Sequence, residues 1–400
     1  MIVAGEASGD LHGGNLVKAL TRLDPTIELF GIGGSQMRSA GVDIRVDISE
    51  LAVMGLTEVL LHYRRLRRIL RQMQKLLHRE RPDLLVTVDY PGFNLRLAKT
   101  ARALGIKVLH YISPQVWAWR EHRVRSIAKR VDMMAVLLPF EAQFYRQRNI
   151  PVRFVGHPLV DSARPAMGRS EAQRLIGLDP ARQTVGLLPG SRKGELKRLM
   201  PLLLESVRLL SRRLPGLQLV LPLASSLELQ ELSPWLEPIP TGEHQNQIHP
   251  MRFRNDGSLQ LTVTRGCGYD TMQCCDMAIT ASGTATLELA LLGIPMVIVY
   301  KVAPLTYTIA RRMITIPNVG LVNIVAQQPI VPEFIQHRAT PDRIGAAAER
   351  YLTEPDLAWR TRESLAGVRR ALGKPGGSEN VARLVLEMLE KDVTVSTIQE

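Results

Sequence analysis

Two loops in this chain pair small residues with groups suited to an anion, and a third offers a carboxylate suited to moving a proton. In "TVGLLPGSRKGEL", Gly190, Ser191 and Arg192 stand between an apolar run and a helical pattern that begins at Glu195. Free backbone N–H groups at a helix start favour negative charge, and an arginine beside them can grip phosphate with two parallel hydrogen bonds. The loop is not a P-loop, since G-x-x-x-x-G-K-[ST] cannot be read there. The plainer reading is a Gly/Pro turn with a solvated arginine.

"AITASGTATLELALLG" repeats the order of strand, small residues and helix, with Ser282, Gly283 and Thr284 followed by Glu288. Small side chains let the backbone approach a diphosphate, and Glu288 near the first turn suits ribose hydroxyls. Alternatively Ser282 caps the helix and Glu288 favours its dipole. Two such loops in one half of the chain favour a nucleotide.

"DLLVTVDYPGFN" sets Asp89 at the end of a continuous apolar run. A carboxylate there can take a proton from a hydroxyl. Aspartate also ends strands merely to make a turn, and both readings stand at this point.

Such loops need a scaffold that delivers them to one edge, and the chain has its pattern. "IELFGIGG", "DLLVTVDY", "KVLHYIS", "MMAVLLP" and "VRFVGHP" alternate with amphipathic stretches in the first 160 residues or so. After a polar segment at 161–170 the alternation restarts with "TVGLLPGS", "LQLVLPLA", "LQLTVT", "MAITASG" and "PMVIVY". The expectation is α/β, with two Rossmann-like doubly wound domains facing a central cleft, at 1–165 and 166–400. In such sheets ligands sit beyond the carboxyl ends of strands, where these loops lie. A polar, Pro-containing stretch at 233–258 reads as a surface insertion, and the last helix as packing back on the first domain.

At 400 residues and 45% hydrophobic content the chain can bury two cores. Its net charge of +13 suits an anionic partner. No window reaches the roughly 18 uninterrupted apolar residues of a spanning helix, and no export signal is visible, so a cytoplasmic protein is expected. Cys267, Cys274 and Cys275 read as buried thiols rather than a redox or metal site. "GIGGSQM" lacks the G-x-G-x-x-G spacing of a dinucleotide fold, and no Asp-x-Asp is present to hold a metal-bound diphosphate. No metal and no cofactor are expected.

Between Met54 and Arg81 runs a very basic amphipathic stretch. Leu66, Ile69, Leu70, Met73, Leu76 and Leu77 recur at helical spacing among arginines that include Arg65 and Arg68. One reading is a covering helix with a solvated back. The other takes Leu56, Val59, Leu60 and Leu61 as an apolar patch framed by arginines and fitted to an anionic bilayer. Nucleic acid is disfavoured, because no aromatic platform is interleaved with the charge.

Through nearly its whole length the chain resembles the bacterial lipid A disaccharide synthases. The resemblance is carried in order by "AGEASGDLHG", "LAVMGLTEVL", "DYPGFN", "HYISPQVWAWR", "LLPFE", "FVGHPLVD", "LLPGSRKGE", "ASGTATLELAL" and "VPEFIQ". It implies a GT-B fold and a metal-independent, inverting transfer from UDP-2,3-diacylglucosamine to the 6'-hydroxyl of 2,3-diacylglucosamine 1-phosphate. The setting it implies is the inner face of the cytoplasmic membrane, with the anionic surface as a partner. It also allows a homodimer, as some relatives pair through their C-terminal regions. By motif, Asp89 matches the family's proposed base, and Ser191, Arg192, Ser282, Gly283, Thr284, Glu288 and Asn323 match its nucleotide residues. Val322 stands where the family usually has Pro before Asn323. Glu6, Ser8 and Asp10 fall in a first loop on the acceptor side. The first strand begins closer to Met1 than the family leads one to expect, which suggests an upstream start or a frayed strand. The 233–258 stretch has no counterpart in shorter members.

Overall fold

The computed structural model describes residues 1–51, 59–119, 124–239, 250–255, 259–303, 307–308 and 317–396, without the side chains of 59–63, 119 and 391–396. The chain forms two compact units: Met1–Asp161 with Leu372–Glu400, and Ser162–Ala371.

Among the described residues the first unit is built on seven strands: β1 (Ile2–Ala4), β2 (Phe30–Gly33), β3 (Asp43–Asp47), β4 (Leu84–Val88), β5 (Lys107–Tyr111), β6 (Met133–Val136) and β7 (Val152–Phe154). Their order is β3-β2-β1-β4-β5-β6-β7, all parallel. Helices on both faces explain why β4, Leu-Leu-Val-Thr-Val, is buried at every position instead of alternating. The first strand is not frayed. It lies mid-sheet, with Ile2 opposite both Gly31 and Val86, and the Met1 amine donates to the Leu84 carbonyl at 2.9 Å. The helix Gly377–Ser396 covers one face of this sheet, where Val381, Ala382, Leu384 and Val385 pack with Leu16, Leu20, Leu109 and Tyr111.

The basic stretch forms the helix Val59–Glu80. Ile69, Met73, Leu76 and Leu77 are buried in the core, with Leu66 and Leu70 packed against it, so the stripe from Leu66 onward belongs to a covering helix. Arg64, Arg65, Arg67, Arg68 and Arg71 are exposed.

Among the described residues the second unit has eight strands: β8 (Thr184–Leu188), β9 (Gln218–Leu223), β10 (Glu237–Pro238), β11 (Met251–Asn255), β12 (Leu259–Arg265), β13 (Met277–Ala281), β14 (Met296–Tyr300) and β15 (Glu333–Ile335). They run in the order β10-β11-β12-β9-β8-β13-β14-β15. Only β10 with β11, and β11 with β12, are antiparallel. These two strands come from the 233–258 stretch, whose described part extends the sheet edge and buries Phe253; residues 240–249 and 256–258 lie outside the described residues.

Candidate functional site

In the first sheet the strand order reverses between β1 and β4, and that reversal opens a crevice at the carboxyl ends of the two strands. Ala4 is paired with Val88, so Gly5 and Glu6 leave β1 beside Asp89 leaving β4. Asp89 and Tyr90 both take left-handed backbone (φ 46° each), which is uncommon for residues with a Cβ. Asn94, buried in the helix Pro91–Ala103, holds this bend by donating its amide to the carbonyls of Asp89 (2.7 Å) and Val88 (3.2 Å). Gly5 is the only residue that fits opposite: a Cβ there would stand 2.2 Å from the Tyr90 ring. The Asp89 carboxyl is partly buried, and desolvation raises its pKa. The Tyr90 backbone N–H opposes that shift and the Glu6 charge adds to it. A poised carboxylate of this kind can accept a proton from an alcohol.

The first loop is shorter than the sequence suggested, because the following helix begins at Ala7 and runs to Leu23. Glu6 and Ser8 are exposed at its start. Asp10 faces inward and is 3% exposed. Its carboxylate accepts from the backbone N–H groups of Gly34 (2.6 Å), Gln36 (3.0 Å) and Met37 (3.1 Å). It thus caps the short helix Ser35–Ser39 from another element and braces the end of β2.

The second sheet reverses between β8 and β13, where Leu188 lies opposite Thr280. The two glycine loops leave these strands at the same edge. Gly190 has φ +107°, a conformation open to glycine. The following helix, Lys193–Arg213, begins two residues before Glu195, placing that glutamate in the first turn. Its carboxylate folds back to accept from the Ser191 N–H at 3.1 Å and lies 3.5 Å from the Arg192 guanidinium. Ser191 and Arg192 are exposed, Arg192 strongly so (83% of the side chain). The loop therefore already receives a carboxylate where an anion was expected, and sequence spacing had not singled Glu195 out.

Ser282 does not cap the helix Ala285–Leu291; its hydroxyl donates to the Val319 carbonyl at 2.8 Å. Gly283 is partly buried and Thr284 exposed. Glu288 is partly buried, its pKa raised by desolvation, with the Tyr269 hydroxyl donating to it at 3.5 Å. Asn323 is fully buried. Its amide donates to the Val331 carbonyl (2.9 Å) and the Glu333 carboxylate (2.7 Å), while its oxygen accepts from the Val331 N–H (3.1 Å). It is engaged at both ends as a clip between the helix Leu321–Ala326 and the entry to β15, so it shapes the loop region from behind.

Of the apolar patch, Leu56 lies outside the described residues, and Val59, Leu60 and Leu61 occupy the first turn of the basic helix. Arg65 stands 3.8 Å from Glu50. The three cysteines are free and buried, and burial pushes the Cys274 thiol up to about 11. Among the described residues no group of three or more His, Cys, Asp or Glu could hold a metal ion, and no helix is long and apolar enough to cross a membrane.

Solved structures share this architecture at low identity. The UDP-GlcNAc 2-epimerase of Neisseria meningitidis, bound to UDP-GlcNAc, aligns with a TM-score of 0.62 at 12% identity over 96% of this chain and 99% of that one. The calicheamicin glycosyltransferase CalG4 aligns at 0.57 and 15%, covering 97% and 96%. These likenesses show the fold, two Rossmann-like units of the GT-B type. The sequence goes further. The lipid-A-disaccharide synthase of Geobacter metallireducens is 52% identical over 391 residues, covering 98% of this chain and 97% of that one. That of Coxiella burnetii is 39% identical over 389 residues, covering 97% and 98%. The family model described as Lipid-A-disaccharide synthetase matches residues 1–375. With motifs, fold and full-length relatives in agreement, the chain belongs to the lipid-A-disaccharide synthetase family, and the glycosyl transfer that forms the lipid A disaccharide is its reaction.

Proposed function

We propose that the donor is UDP-2,3-diacylglucosamine, that the acceptor is 2,3-diacylglucosamine 1-phosphate, and that Asp89 takes the proton from the acceptor's 6'-hydroxyl as UDP leaves. The placement of Asp89 carries this reading: a partly buried carboxylate at a sheet reversal, in a braced left-handed bend, with its basicity raised by burial. Attack comes from the sugar face opposite the departing UDP, so the anomeric centre inverts. An ordinary aspartate, with a pKa of about 3.9, is a weak base for an alcohol. Its proton transfer is therefore late but concerted with formation of the new C–O bond, and the raised pKa of Asp89 assists it. Disaccharide and UDP are expected from the two lipid substrates in detergent with EDTA, and none from unacylated UDP-N-acetylglucosamine. Turnover of the unacylated sugar at a comparable rate would overturn the substrate assignment.

In the same reading the second unit binds the nucleotide through Gly190, Ser191, Arg192, Ser282, Gly283 and Thr284, with Glu288 toward the ribose. The diphosphate displaces the Glu195 carboxylate from the Ser191 N–H and pairs with Arg192, and these groups meet the charge of the leaving UDP without a metal. Gly190→Ala tests the loop. Its Cβ would lie 2.3 Å from Glu195 Oε2, and its φ of +107° is closed to alanine. UDP affinity measured by calorimetry is expected to fall at least about 10-fold, roughly 1.4 kcal/mol. An unchanged Kd would remove this loop from the nucleotide site.

The exposed arginines of the basic helix bring the protein to the anionic inner face of the cytoplasmic membrane, where both acylated substrates reside. Each basic side chain near such a surface contributes about 1 kcal/mol. Arg65→Glu with Arg68→Glu is expected to weaken binding to anionic vesicles at least about 10-fold, and raised salt to weaken wild-type binding too. Sedimentation of both proteins with vesicles checks this, and charge-independent, salt-insensitive attachment would contradict it.

A further inference from the structure

Glu333 opens β15 in the "VPEFIQ" stretch. It accepts three hydrogen bonds within the second unit: from the backbone N–H of Val319 at 2.8 Å, from that of Gly320 at 3.0 Å, and from the Asn323 side-chain amide at 2.7 Å. Gly320 is the residue before the helix Leu321–Ala326, so the acid sits beside the N-terminus of that helix, where negative charge is favoured. The approach is close: a Cβ on Gly320 would stand 3.0 Å from Glu333 Oε1 and 2.4 Å from Ile298 Cδ1. Asn323, in turn, is locked in both directions to Val331, two residues before Glu333.

The residue held at its amide by Glu333 is held at its carbonyl by the candidate donor loop. Val319 gives its N–H to Glu333 and receives the Ser282 hydroxyl on its C=O. A line of hydrogen bonds thus runs from a carboxylate in β15, through one residue, to the serine that leads the Ser282-Gly283-Thr284 turn.

We propose that Glu333 is a positioning residue for the sugar-nucleotide donor: through Val319 it fixes the Ser282 hydroxyl and so sets the Ser282–Thr284 loop for UDP. This rests on the reading of that loop as nucleotide-binding. Glu333 does not touch the nucleotide. Its charge makes it the stronger acceptor for three donors that a neutral side chain of the same length would hold less well.

A double-mutant cycle on the full chain separates this from a merely structural role. Wild type, Glu333→Gln, Ser282→Ala and the double variant are compared for UDP Kd by calorimetry and for the KM of donor and acceptor. Glu333→Gln and Ser282→Ala are each expected to raise UDP Kd and donor KM about 10-fold while leaving acceptor KM unchanged. The double variant is expected to be little worse than either single one, because both break the same line of bonds. Losses that multiply toward 100-fold would show that Glu333 acts independently of Ser282 and overturn the proposal alone. An unchanged UDP Kd in Ser282→Ala would overturn the donor-loop reading at its root. Equal losses toward donor and acceptor in Glu333→Gln would assign it a general structural role and also overturn the proposal. If Glu333→Gln does not fold, Glu333→Asp, which keeps the charge and shortens the reach, carries the same cycle.

Discussion

Asp89→Asn is expected to lower kcat by about three orders of magnitude while leaving UDP affinity unchanged. General-base catalysis is worth roughly 10²- to 10⁴-fold, and asparagine keeps the size of aspartate while losing the proton acceptor. The backbone favours this substitution as a clean test, because asparagine tolerates the left-handed conformation that Asp89 adopts. The hydrogen bond from Asn94 goes to the Asp89 carbonyl, so the bend survives the change. The pH profile gives a second readout. The raised pKa means the base ionises at higher pH than an ordinary aspartate, so the acid limb of kcat/KM should be displaced upward from the position an unperturbed aspartate would give. Glu6→Gln removes the charge that adds to the shift, and the acid limb should then move to lower pH. An acid limb indifferent to Glu6, together with substantial kcat in Asp89→Asn, would show that another group takes the proton.

The largest expected effect on stability belongs to Glu141. This residue lies in the helix Pro139–Arg146 and is 3% exposed. Its carboxyl accepts from the Trp117 indole N–H at 3.0 Å and from the Leu138 N–H at 3.2 Å. Burial outweighs these bonds and pushes its pKa from 4.5 up to about 7. The folded state therefore keeps a proton that the unfolded chain has already lost. The stabilisation linked to that proton is complete below about pH 4.5 and disappears as the pH rises through about 7. A shift of this size corresponds to about 3 kcal/mol. Glu141→Gln keeps an oxygen for the Trp117 indole and cannot ionise, so its denaturant stability should fall less steeply from pH 5 to 8 than that of wild type. Any loss of the Leu138 bond appears as a constant offset rather than a slope. Parallel pH profiles for the two proteins would rule the linkage out.

The strands were legible because parallel strands buried on both faces read as continuous apolar runs, as at 84–88 and 277–281. Their loops drew attention because ligand chemistry in such sheets gathers past strand ends. Asp10 and Asn323 show where this reasoning ended. A short polar side chain near a loop can face a ligand or tie down backbone. The N–H groups that Asp10 ties down are 24 to 27 residues away. Those for Asn323 lie across a turn, at Val331. Glu195 escaped notice for a smaller reason: a helix start misplaced by two residues turned a first-turn acid that folds back on the loop into a mere boundary. Glu141 and Glu333 stood in quoted motifs, but neither spacing nor composition announces that a carboxylate is ringed by N–H donors.

The covering of the first sheet by the helix Gly377–Ser396 has a consequence for synthesis on the ribosome. Ser162–Ala371 is one uninterrupted stretch and has all its residues before that helix is translated. The apolar surface that Leu16 and Leu20 of the helix Ala7–Leu23 form with Leu109 and Tyr111 of β5 stays incompletely covered until Val381, Ala382, Leu384 and Val385 emerge. Vectorial folding thus runs out of chain order: the second unit to be made is the first that can be finished, and throughout its synthesis the nascent chain carries an apolar face that holdase chaperones are suited to shield.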